Sequence, residues 1–132
     1  MALYRCMTPD ADGLPRVGDS ARCLGVRAVD DIAPDSEGRV HPRTGGMSVA
    51  PNSLWNLPHH RRPRRLGRGS TGRDSDRVFA IDGGAVEPPL TVRMGPDAPD
   101  LHALVEPDSV MLLGEYRTCL ARTRPSWRLA ER

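Results

Sequence analysis

"RVFAIDGGAVEPPLTVRM", residues 77–94, reads as strand, turn and strand in one short stretch. The β-branched and aromatic content of "RVFAID" (77–82) marks the first strand. A glycine pair and a proline pair break the chain, and "LTVRM" (90–94) extends again. Past the turn "GPDAPD", the segment "LHALVEP" (101–107) is a third strand candidate. In "SVMLLGEYRTCLARTRPSW" (109–127) the first part reads as a strand. "GEYRTCLARTR" reads as a closing helix, stopped by Pro125.

Toward the N-terminus, "MALYRCM" is a first strand. Its alternation puts Leu3 and Arg5 on one face and Tyr4 and Cys6 on the other. "ARCLGVRAVDDI" (21–32) is open to a short helix or a strand, with Gly25 weakening the helix. "MSVAPNSLWNL" (47–57) begins extended and turns helical, with Asn52 or Ser53 as the cap. The predicted fold class is α+β: short strands with one to three helices, in a single domain over residues 1–132.

Composition agrees. Glycine and proline number 13 each, which implies many turns and short elements. Aromatics are 4 %, so few large side chains can anchor a core. All 19 basic residues are arginine, yet the net charge is only +2, so the chain is no polycation. The charge is local: "HHRRPRRLGR" (59–68) holds five arginines. That stretch belongs to an exposed basic insertion at about 59–76, with the composition of a disordered loop. Cys6, Cys23 and Cys119 show no CxxC spacing, which argues against zinc and a disulfide framework. "MALYRCMTPDADG" has no apolar leader region, and no apolar run is long enough to span a membrane. A cytoplasmic protein is expected.

Four signals carry chemistry. Arg5, on the first strand, needs a partner if buried; a salt bridge or an anion clamp would serve. "GGMS" (45–48) is an ordinary turn, or a place where bare backbone lets a ligand approach Ser48. It is neither GxGxxG nor a P-loop. His102 and Glu106 fall on one face of a strand and suit acid–base or ribose-binding work, or a satisfied half-buried histidine. The arginine cluster is a solvated loop or a steering patch for a polyanion; it lacks the interleaved aromatics that stack bases.

The order of these pieces resembles a family of small bacterial toxins with an ADP-ribosyltransferase-like fold, known among type VI secretion effectors. "LYR" (3–5), "GV" (25–26), "DI" (31–32) and "TGGMSV" (44–49, where the family pattern is TGG-x-SV) carry the likeness. Phe79 and Ile81, the prolines at 88–89, "LTV" (90–92), His102 and Pro107 continue it. The likeness runs from residue 3 to about 111, with the basic stretch longer here. It implies that Arg5 holds NAD on the first core strand. It implies that Ser48 orders the nicotinamide ribose while Gly45 and Gly46 let backbone approach, and that Tyr4 and Phe79 line the pocket. A carboxylate, first Glu106 and otherwise Glu115 or Glu87, or the shared His102, would stabilise the charge that builds on the sugar. The usual hydroxyl–x–hydroxyl pattern is incomplete, with Gly46 and Met47 preceding Ser48.

The resemblance implies a toxin that binds NAD and transfers ADP-ribose to a cytoplasmic target or hydrolyses NAD. A cognate immunity protein or antitoxin would be its partner, and delivery into a target cell would need no cleaved leader. Three other readings stand beside it: a toxin of the same fold without NAD chemistry, an RNA-acting protein using the arginines, and a non-toxic structural module.

Overall fold

Along residues 1–131, which the computed structural model describes, run the strands β1 (Ala2–Met7), β2 (Arg39–Val40), β3 (Met47–Pro51) and β4 (Arg77–Asp82). They are followed by β5 (Leu90–Met94), β6 (Ala103–Pro107), β7 (Met111–Leu112), helix α1 (Leu113–Arg122) and β8 (Arg128–Leu129). The fold is α+β. Six strands form an antiparallel sheet in the order β5-β6-β3-β1-β4-β8, and β2 pairs with β7 in a small second sheet.

The strands expected at 77–82 and 90–94 fall at those residues, and β6 starts two residues into "LHALVEP". Segment 21–32 makes neither helix nor long strand; it is a run of turns and bends. Ser53 caps a single 3-10 turn, Leu54–Asn56, by accepting from the Trp55 amide 3.1 Å away. Pro58 and Pro63, which lack an N–H, stand before the next two such turns. The closing helix starts at Leu113, where the Glu115 carboxylate accepts from the Leu112 amide at 3.1 Å.

β1 alternates as its sequence predicts. Leu3 and Met7 face the main core, with Phe79, Ile81, Val49 and Val105. Tyr4 and Cys6 face a smaller cluster with Ala50, Leu57 and Val78. Helix α1 closes the main core through Tyr116 and Leu120, four residues apart on one face and fully buried. The Tyr116 hydroxyl accepts from the Met47 amide at 3.2 Å and donates to the Val105 carbonyl, so it sits inside the β3–β6 seam. Burial pushes its ionisation upward, which keeps it a donor.

One strand divides the sheet. β1 pairs with β4 along its whole length, Ala2 with Asp82 through Met7 with Arg77. With β3 it pairs only at Leu3 and Tyr4, opposite Pro51 and Ala50. The earlier residues of β3, Met47 to Val49, pair with β6 instead. β1 and β3 therefore fork apart after Tyr4.

Candidate functional site

Arg5 fills the fork. It is 6 % exposed. Its Nη1 donates to the Ser48 carbonyl at 2.8 Å, and Nε and Nη2 donate to the Cys23 carbonyl at 3.1 and 2.9 Å. A longer contact reaches the Gly25 carbonyl. A charge this buried is tolerated because three carbonyl oxygens and the nearby Asp31 carboxylate face it. Burial lowers the guanidinium to about 10, against the pull of Asp31, so it stays charged at neutral pH. The side chain expected to clamp an anion is thus chiefly engaged in tying β1, β3 and the 23–25 turn together. One Nη1 hydrogen remains for a ligand.

A cavity of about 470 Å³ opens beside this guanidinium. That is the size of a pocket for a small organic ligand. Ser48 and His102 stand on its wall, Oγ and Nε2 3.2 Å apart. The pair exists because Ser48 lies opposite Leu104 in the β3–β6 register, two residues from His102. Gly95 helps to seat the ring: a Cβ there would come within 2.9 Å of His102 Nδ1.

The carboxylate on this wall is Asp31. It accepts from the Arg27 amide at 2.7 Å and from the Arg27 guanidinium at 3.2 and 2.9 Å. Burial alone would raise it, but those bonds, with the charges of Arg27 and Arg5, hold it below the usual carboxylate range. Asn56 braces the opposite side by donating to the Pro51 and Asp100 carbonyls at 2.8 and 3.1 Å. His60 and Arg61 line the cavity from the basic segment.

Several residues singled out in the sequence lie elsewhere. Glu106 is 3 % exposed and is held by Arg93 Nε at 2.9 Å, outside the cavity wall. Glu115 caps α1, and Glu87 lines a separate hollow with Pro88, Pro89 and Cys119. Phe79 belongs to the main core and Tyr4 to the smaller one. Gly45 and Gly46 make room for protein rather than ligand. A Cβ on Gly45 would lie 2.2 Å from the Asp31 carbonyl oxygen, and one on Gly46 2.7 Å from that of Val105. Both positions are closed by backbone, Gly45 with φ of 136°.

The basic segment is the largest departure from expectation. It folds back onto the sheet, with Arg62, Ser70 and Asp76 buried. Arg62 donates to the Trp55 and Arg68 carbonyls at 3.3 and 3.0 Å and lies 5.1 Å from the Trp55 ring centre. Arg65 donates to the Asp74 and Asp76 carbonyls at 2.7 and 3.1 Å and pairs with Glu131. Internal acceptors, which composition does not reveal, make this loop a wall of the cavity.

No family model, no curated protein and no solved structure matches this chain. Among the described residues no helix is long and apolar enough to cross a membrane.

Proposed function

We propose that the cavity at the β1–β3 fork binds NAD, and that the chain is a bacterial toxin domain that transfers ADP-ribose to a cytoplasmic target or hydrolyses NAD. One observation carries the reading. Arg5, Ser48 and His102, from three separate parts of the sequence, meet at a single cavity of suitable size. NAD supplies a glycosidic bond whose cleavage leaves positive charge on the ribose. The chain's residues fit that ligand: Arg5 offers one N–H, Arg61 a guanidinium unengaged among the described residues, and Leu57, Val49 and Leu101 an apolar wall. Ser48 and His102 can hold ribose hydroxyls, each acting as donor or acceptor. Asp31 is the carboxylate placed to stabilise positive charge there; Glu106 would first have to leave Arg93.

The test is release of nicotinamide from NAD by the purified chain. Release is expected, and it should fall at least tenfold in Ser48→Ala and Asp31→Asn. A parent protein that does not bind NAD ends the proposal. One observation favours a second reading, a toxin of this fold that binds without turnover: Asp31 and Glu106 are both already paired with arginines. NAD binding without nicotinamide release would select it. An immunity protein would act on either form by covering the cavity, which exposed Leu101 helps to line. Of the arginines that the RNA reading would use, Arg62 and Arg65 are engaged internally.

A further inference from the structure

We infer that a smaller chamber beside the cavity is a subsite for a phosphoryl group, built by the basic segment. The chamber measures about 230 Å³ and shares Cys6, His60 and Arg61 with the wall of the larger cavity. The two spaces are thus neighbours, and in this proposal a ligand seated in the larger one reaches the smaller one past Arg61. The rest of the chamber wall includes Arg22, Arg73, Thr71 and Asp76.

The charges there are unbalanced. Asp76 is the acidic residue of the wall, and it is already engaged: Thr8 Oγ1 donates to it at 2.8 Å, and Arg22 Nε lies 3.0 Å away. Arg22 Nε is nevertheless buried without a well-aligned acceptor. The guanidinium groups of Arg61 and Arg73 meet no hydrogen-bond acceptor and no carboxylate among the described residues, unlike Arg62, Arg65 and Arg77 of the same segment. Two unengaged planar forks at one concavity match the geometry of a phosphate or diphosphate. The Thr71 hydroxyl adds a neutral donor or acceptor. Arg61 also stands close enough to Arg5 for its charge to lower that group. An anion between the chambers would relieve this repulsion. Arg5, bound to three carbonyls, leaves phosphate recognition to Arg61.

The inference deepens the NAD reading by assigning the phosphates to Arg61 and Arg73, and it rests on that reading only for the ligand of the larger cavity. Inorganic pyrophosphate tests it directly. Calorimetric titration should show binding to the parent, a loss of about tenfold or more in Arg61→Ala/Arg73→Ala, and little change in Arg64→Ala, an exposed cation outside the chamber. In the parent, pyrophosphate should also shift the Thr71 and Gly72 amide resonances, a readout that needs no variant. Absence of binding, equal binding by the double variant, equal loss in Arg64→Ala, or unmoved Thr71 and Gly72 resonances would overturn it. NAD titrated in parallel separates the two ideas. Pyrophosphate bound at Arg61 and Arg73 with no NAD binding ends the dinucleotide reading and leaves the subsite. NAD bound equally by parent and double variant ends the subsite and leaves the dinucleotide. A short RNA that binds where pyrophosphate does not assigns these cations to a strand and ends the subsite as well.

Discussion

The two flanks of β1 differ in how they use one strand. On the β4 side all six residues of β1 are paired, and the side chains alternate between two apolar clusters. On the β3 side pairing stops after two residues, and the gap is filled by an arginine bonded to carbonyls. The closed flank obtains stability from burial and the open flank from a satisfied charge. The open flank borders the cavity of about 470 Å³. A sheet can thus hold a cavity in its middle when one strand changes partners halfway and a polar side chain fills the gap.

The sharpest way to break the comparison is to attack both flanks and compare stability. Phe79→Ala on the closed side should cost about 3–5 kcal/mol in denaturant unfolding, because it empties a fully buried aromatic site. Arg5→Ala should cost about 3 kcal/mol without any ligand, since it strands the Cys23 and Ser48 carbonyls. A stable Arg5→Ala protein that merely loses ligand would show that Arg5 is not the prop described here. Tyr116→Phe should cost about 1–3 kcal/mol by opening the β3–β6 seam at Met47 and Val105. Ser48→Ala, on the cavity wall, should change stability by less than about 0.5 kcal/mol while weakening the ligand.

The smallest expected effect sharpens the contrast from outside both flanks. Asp35 is held down to about 2 by His41, then by the Arg39 and Glu37 amides. A carboxylate depressed in the folded state stabilises above its ordinary value. That contribution is lost as pH falls from about 4 toward 2. His41→Ala should flatten the acid limb of the stability curve slightly and leave ligand binding unchanged.

The sequence displayed the closed flank far better than the open one. Strands β4 and β5 were legible because β-branched and aromatic residues run between glycine and proline turns, which is local information. The alternation of β1 was legible for the same reason. The fork was not, because it depends on β3 pairing with β6 at one end and β1 at the other. Ser48 and His102 could be singled out as chemistry-bearing residues, but their 3.2 Å contact follows from that long-range register. Asp31 was visible only as part of "DI", and nothing in the sequence singled out its bond to Arg27 four residues earlier. Glu106 stood out by its place at a strand end, with nothing local to show that Arg93 would hold it. The basic segment misled most. Its polarity resembles disorder, whereas backbone carbonyls and Trp55 hold Arg62 in place.

The central claim is that the fork is the ligand site. An amide NMR titration of the parent chain with NAD tests it most directly. The account predicts shifts at Asp31, Ser48, Asn56, Arg61 and His102, with the β4 and α1 resonances unmoved. No shifts, or shifts confined to the hollow at Glu87 and Cys119, would contradict it.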